Sequence, residues 1–231
     1  MHFRHASAAA LLLFAVGSSP TASAQSITVG TPGGANFNCI PFSCSGPFDD
    51  ITRYQQVFSS SLFSTPVSIN ALHFFTHGAG DYNPATFSFS FAYTNQAVGG
   101  LSANLASNPS SPLSPFTTAT LSGPHPSIAT FSGTPFLYNP TLGNLLLDIA
   151  VSNWSAAPAY SSFDADAVST CSRAVESVYQ GSPNNFADDG CLVTQIDYRV
   201  VTATPEPASM VLVATGLIGI AGVSRRRGRR H

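Results

Sequence analysis

The chain has 231 residues, of which 44% are hydrophobic and 9% are charged, and it contains no lysine. Six of its nine arginines lie within the first four or the last seven residues. Residues 25–203 therefore carry three arginines against ten carboxylates, a net charge of −7. Because nucleic-acid binding needs basic contacts to phosphates, this balance excludes nucleic acid as a partner, and it opposes adhesion to anionic lipid.

The N-terminus has the three parts of a secretory signal peptide. A charged stretch, residues 2–5, precedes an apolar run at residues 8–16, which is too short for a bilayer span of about 20 residues. Small residues follow at Ala22 and Ala24. The sequence therefore predicts a signal peptide over residues 1–24 with cleavage after Ala24.

Alternation of apolar and polar residues dominates the interior and predicts strands. The clearest run is 86–94, where Phe87, Phe89 and Phe91 share one face. Further strands are predicted at 54–58, 67–75, 117–121, 128–131, 145–152 and 192–201. Residues 168–178 fit a strand or a short helix, and the proline-rich residues 104–126 are predicted to form a long exposed loop. The pattern predicts an all-β, β-sandwich or jelly-roll-like ectodomain over residues 25–203.

Four cysteines in an exported chain indicate disulfides, and three pairings are open. We favour Cys39 with Cys44, across a turn, and Cys171 with Cys191. A metal site is disfavoured, since neither pair has C-x-x-C spacing and no histidine lies near either pair.

Two groups of residues invite a metal interpretation. His73 and His77 are four residues apart, which on a strand separates them by about 13 Å, too far to share one ion. The pairs Asp164 with Asp166 and Asp188 with Asp189 suggest calcium, but a loop read from Asp164 lacks the EF-hand glycine and glutamate. No metal site or cofactor is predicted, and a calcium site built from several loops stays an alternative.

No catalytic residue is predicted either. The chain has no G-x-S-x-G motif, residues 25–203 have no lysine, and no two carboxylates stand in a recognisable hydrolase context. Trp154 is the only tryptophan, and it is expected to pack in the core or at an edge, with stacking on a sugar ring as the alternative.

The C-terminus, residues 204–231, carries a second compound signal. Pro205-Glu206-Pro207 precedes a 16-residue apolar stretch at 208–223 with glycines, and an arginine-rich tail follows. The tail includes Arg225, Arg226 and Arg227. Because arginines directly after an apolar span stay on the cytoplasmic side, the sequence predicts a single transmembrane helix at 208–223 that holds the domain outside.

This arrangement resembles the sorting signal of PEP-CTERM proteins. The members of this family occur in Gram-negative bacteria that make exopolysaccharide. The segments 53–58 and 136–149 are also similar to stretches that recur in PEP-CTERM ectodomains. The resemblance implies a β-sandwich ectodomain and processing by an exosortase, a membrane protease-transpeptidase. It also implies an inner-membrane precursor that ends at the cell surface or in the extracellular matrix.

The expected function is that of a non-enzymatic surface or matrix protein associated with exopolysaccharide or biofilm. The alternative is a secreted carbohydrate-active enzyme or a calcium-dependent glycan-binding module on a jelly-roll scaffold. An enzyme should show an aromatic-lined cleft, and a single tryptophan is thin support for one.

Overall fold

The computed structural model describes residues 23–42, 50–155, 161–179 and 181–201. Its described residues form fourteen strands in two antiparallel sheets, and three short 3-10 helices are the helical segments among them. The all-β prediction is confirmed. The described part of the chain has no helix with the length and hydrophobicity that crossing a bilayer requires. The apolar runs predicted at 8–16 and 208–223 lie outside the described residues.

Sheet I contains seven strands, and the long strand β4 is its central one. Strand β4 pairs with β14, β7 and β9, and β14 in turn pairs with β1. Strand β9 also pairs with two short strands, β2 and β13. The bounds are β1 (Ala24–Val29), β2 (Phe37–Asn38), β4 (Val67–His77), β7 (Ile128–Tyr138), β9 (Ser162–Asp166), β13 (Cys191–Leu192) and β14 (Thr194–Val200).

Sheet II has the order β11-β10-β3-β8-β5-β6, with β12 also paired to β10. Strand β6 ends this order and is an edge strand, paired with β5 alone among the described residues. The bounds are β3 (Asp50–Phe58), β5 (Asp81–Thr94), β6 (Ser114–Pro124), β8 (Asn144–Ser152), β10 (Cys171–Tyr179), β11 (Ser182–Pro183) and β12 (Phe186–Asp188).

The main core lies between the sheets and is largely aromatic. Alternation in β5 turns Phe87, Phe89 and Phe91 inward, where each is almost fully buried, while Ser88 and Ser90 face outward. Phe42, between β2 and β3, lies in the middle of this cluster. Inward faces of both sheets contribute to this one cluster, so the sheets form a sandwich.

The predicted exposed loop at 104–126 is wrong. Residues 114–124 form edge strand β6, which tolerates Pro115 and Pro124 because one side of an edge strand needs no hydrogen bonds. The preceding residues 95–113, called the covering segment here, pack on the outer face of sheet II. Leu101 and Leu105 are buried there in a second, smaller cluster, whose other buried members are Val57, Ala92, Leu146 and Ala174.

Candidate functional site

The described chain begins and ends at the same end of sheet I. Ala24, the first residue of β1, lies opposite Arg199 of β14, and the backbone N–H of Val201 donates to Pro66 O (2.9 Å). Ala22, Pro205-Glu206-Pro207 and Arg225 to Arg227 lie outside the described residues. Pro205 is four residues beyond Val201, at most about 14 Å of extended chain. Both predicted processing sites are therefore close to one end of the sandwich.

We call this end the base. It consists of Ala24, Val201 and the two connections at residues 59–66 and 139–143, which join β3 to β4 and β7 to β8. The register places Val200, Val67 and Tyr138 side by side on β14, β4 and β7, directly above it. Phe63 closes the core here against the rings of Tyr138 and Tyr198. The base is a packed end of the sandwich, so the sorting segment leaves from well-anchored strands.

Cys171 and Cys191 form a disulfide that joins β10 of sheet II to β13 of sheet I, as predicted. Cys39 is also disulfide-bonded, and its predicted partner, Cys44, lies outside the described residues. The bond between Cys171 and Cys191 closes a separation of 20 residues.

Replacing Cys171 and Cys191 together by alanine is expected to lower the free energy of unfolding by about 3 kcal/mol, the loop-closure entropy of this separation. Replacing Cys39 and Cys44, whose loop is much shorter, should cost about 2 kcal/mol. Urea unfolding of the released protein compares the two. Non-reducing mass spectrometry that finds four alkylatable thiols would contradict both disulfides.

His73 and His77 are held by different carboxylates. His73 lies on the outer face of sheet I, with Nδ1 2.9 Å from Thr130 Oγ1 and Nε2 2.9 Å from Asp197 Oδ2. The other histidine bonds Asp164 Oδ1 through Nδ1 (3.0 Å) and stacks on the ring of Phe37. The two side chains therefore make separate contacts, with different carboxylates.

The pKa of Asp197 is set by burial, by hydrogen bonds from Gln195 and His73, and by the charge of His73. Burial acts to raise the pKa of this carboxyl, but the hydrogen bonds and the charge outweigh it and hold the pKa below its usual value. A folded-state pKa below the unfolded one stabilises the fold above the unfolded pKa of about 3.9. That stabilisation is lost as pH falls through the folded-state value.

Asp197→Asn should therefore destabilise the protein near pH 6 and have a shrinking effect below about pH 4. Because the carboxylate side chain is 37% exposed, we expect only about 0.5–1 kcal/mol, as for other exposed pairs. Denaturant unfolding at several pH values measures the difference. In a cycle with His73→Gln, the double variant should cost less than the sum of the single variants. A pH-independent difference would contradict this role.

The four aspartates considered for calcium either bond other groups of the domain or lie apart from the other three. Asp164 accepts from Gly33 N (2.6 Å) besides His77, and Asp166 accepts from Thr31 N (3.2 Å), so both hold the connection after β1. Asp188 forms a two-point ion pair with Arg173 on the neighbouring strand. No group of three or more potential metal ligands occurs within the described ranges.

Asp189 borders a cleft of about 360 Å³ beside the disulfide. Its walls come from the covering segment, from the connection between β9 and β10, and from the residues before β13. A Cβ on residue 99 would lie only 3.0 Å from Asp189 Oδ1, so glycine lets the two segments approach. The lining residues are Val98, Gly99, Ala167, Val168, Ser169, Cys171 and Asp189.

Gln56 forms a buried polar link between the sheets that the sequence analysis missed. Its amide exchanges two hydrogen bonds with the backbone of Leu192, at 3.0 and 3.1 Å, and its Oε1 accepts one from the Tyr54 hydroxyl. Burial raises the pKa of that hydroxyl well above its usual value, so it stays protonated and donates. The link fastens β13 to β3.

Gln55 belongs to a second buried network, under the covering segment. Its Nε2 donates to Asp148 Oδ2 (2.5 Å) and to Leu105 O (3.1 Å), and its Oε1 accepts from Asn108 Nδ2 (2.8 Å). Arg53 pairs with the same carboxylate. The signal in the sequence was a pair of glutamines inside an apolar strand, which places one amide on each face of the sheet.

Trp154 packs partly buried against the main core, in line with the packing expected of it. Its Nε1 is buried and has no hydrogen-bond partner among the described residues. It is absent from the lining of the cleft at Asp189.

Comparison with known proteins gives one match, and it falls on the C-terminal signal. A family model for the PEP-CTERM protein-sorting motif matches residues 203–227, which include Pro205-Glu206-Pro207 and Arg225 to Arg227. Neither a curated protein nor a solved structure matches the chain. The predicted resemblance of the C-terminus is confirmed: the chain carries a PEP-CTERM protein-sorting motif, which indicates an exported protein targeted to an exosortase.

Proposed function

We propose that the chain is a non-enzymatic protein of the cell surface or extracellular matrix that associates with exopolysaccharide. In this proposal residues 1–24 are removed on export, and residues 208–223 anchor the precursor in the inner membrane. An exosortase cuts near Pro205-Glu206-Pro207 and leaves the sandwich, residues 25–203, as the mature protein on a jelly-roll-like scaffold. No metal or cofactor takes part.

The observation that supports the proposal is that many carboxylates of the domain bond other groups of the domain. Asp148, Asp164, Asp166, Asp188 and Asp197 each bond an arginine, a histidine, an amide or a backbone N–H of the domain itself. A glycosidase needs two carboxyl groups that face each other across a substrate. Acids committed to internal bonds hold a scaffold together, which favours a structural role.

A glycan-binding module is the second candidate, and the cleft at Asp189 favours it. Its volume is at the lower end of the range for small-ligand sites, enough for one sugar unit. Asp189 offers a carboxylate to sugar hydroxyls or to a calcium ion, and Val98 and Val168 offer apolar walls.

Pull-down of the released protein on the host's own exopolysaccharide tests the proposal. We expect retention that is unaffected by EDTA and no new reducing ends after prolonged incubation. Retention lost on Asp189→Ala or with EDTA would favour the binding module, with Asp197→Ala as the control carboxylate outside the cleft. Turnover of the polysaccharide would contradict the non-enzymatic function.

A further inference from the structure

Exposed apolar side chains lie at the base and on the end of β7 beside it. Leu137 is 67% exposed, Leu142 is 60% exposed and Val201 is 44% exposed, three of the six large hydrophobic side chains that are exposed in the described residues. Leu137 precedes the last residue of β7, Leu142 lies in the connection to β8, and Val201 follows β14, two strands away. These three residues give the base an apolar surface.

The connections of the base lack acids although the domain is acidic, as does the whole stretch 82–147. These connections, residues 59–66 and 139–143, contain no aspartate or glutamate, although residues 25–203 carry ten. The charged side chain beside the base is Arg199, which is exposed opposite Ala24. Anionic lipid repels carboxylates, and the residues that define the base contain none.

The short length of chain between Val201 and the proposed membrane anchor limits what the base can face. This step rests on the proposed anchoring of the precursor at 208–223. Ala208 is seven residues beyond Val201, a distance of at most about 25 Å when extended. Three apolar side chains bind a bilayer weakly, but a tether this short keeps them at millimolar effective concentration near it.

We propose that, in the anchored precursor, the base rests on the periplasmic surface of the inner membrane through Leu137, Leu142 and Val201. The contact fixes the orientation of the sandwich relative to the bilayer. It also holds Pro205-Glu206-Pro207 at the level of the lipid headgroups, where a membrane-embedded protease can reach it.

Tryptophan quenching in lipid tests the contact on the full chain. The unprocessed precursor is placed in vesicles of phosphatidylethanolamine and phosphatidylglycerol with brominated acyl chains, and Leu137→Trp is compared with Ile128→Trp. Ile128 is 44% exposed at the opposite end of the same strand, about 23 Å away, because its partner on β4, Phe75, is seven residues from Ser68, the partner of Leu137. Trp154 contributes equally to both variants, and its signal is subtracted with the wild-type chain.

Quenching at residue 137 should exceed that at residue 128 at least twofold. Equal quenching at both positions would overturn the proposal. A second copy of the chain is the competing occupant of this surface. In detergent without lipid, a second copy would shield the indole introduced by Leu137→Trp, and light scattering would give a dimeric mass. Those two results together would also overturn the membrane contact.

Processing in the host gives a second, independent measurement. Leu137→Ser with Leu142→Ser should slow conversion of precursor to mature protein several-fold, while Ile128→Ser leaves it unchanged. All three side chains are exposed, so folding is preserved, as circular dichroism can verify. An unchanged rate would overturn the role in processing. A wild-type chain that is never processed would instead overturn the proposed function and leave the quenching result standing.

Discussion

Replacement of Pro205, Glu206 and Pro207 by alanine is expected to abolish maturation, with at least a tenfold fall in processed protein. Two prolines fix φ and remove backbone donors, so a Pro-Glu-Pro sequence disfavours strand pairing and favours an extended form that a protease can reach. Strand β14 ends at Val200, which leaves a few residues between the sandwich and this motif. The measurement is the C-terminal mass of the protein recovered from envelope and medium.

Thr202→Ala with Thr204→Ala is the matched control, since it changes the same linker and keeps the motif. That variant should mature normally. Deletion of the exosortase should have the same effect as the motif change. Mature wild-type protein that still carries Arg225 to Arg230 would contradict processing and indicate permanent anchoring.

Phe42→Ala is expected to destabilise the domain by about 3–5 kcal/mol, the usual cost of emptying a large aromatic site. Phe42 is fully buried, and its ring centre lies 4.9 Å from that of Phe163, 5.2 Å from Phe87 and 5.7 Å from Phe131. The melting temperature of the released protein should fall by roughly 6–20 °C for a domain of this size. Scanning calorimetry or circular dichroism measures the fall.

Phe37→Ala provides the comparison, because this side chain lies five residues earlier and is 50% exposed. It should cost under about 1 kcal/mol, since only a stack on His77 is lost. Similar losses for the two variants would show that the centre of the aromatic core lies elsewhere.

Strands whose two faces differ were predictable from the sequence. In β5 the phenylalanines and serines alternate, and the predicted strand at 86–94 lies within Asp81–Thr94. Most of residues 168–178, open to strand or helix, lies in strand β10 (Cys171–Tyr179), where pairing with β3 and β12 decides the matter. Local alternation specifies a strand, but it does not specify the partner.

The outer face of sheet II could not be predicted in the same way. Prolines and serines at 104–126 suggested exposure, but Leu101 and Leu105 anchor the covering segment over Leu146 and Ala174. Beneath it, Asp148 is buried with Gln55 and Arg53, partners more than 90 residues away in the chain. From the sequence, a polar residue on the outer face of a strand is predicted to be exposed. The sequence pattern does not show whether a distant segment covers that face.

The sequence by itself determined the sorting motif at the C-terminus and the strand-rich class of the domain, and it favoured the pairing of Cys171 with Cys191 among three. These follow from residue types and spacings within short windows. The tertiary structure alone decided that Ala24 and Val201 meet at an apolar, acid-free base, and that Gln56 joins the sheets through Leu192. Both depend on which strands become neighbours, because the free energy of burial is set by contacts between segments that are remote in the chain.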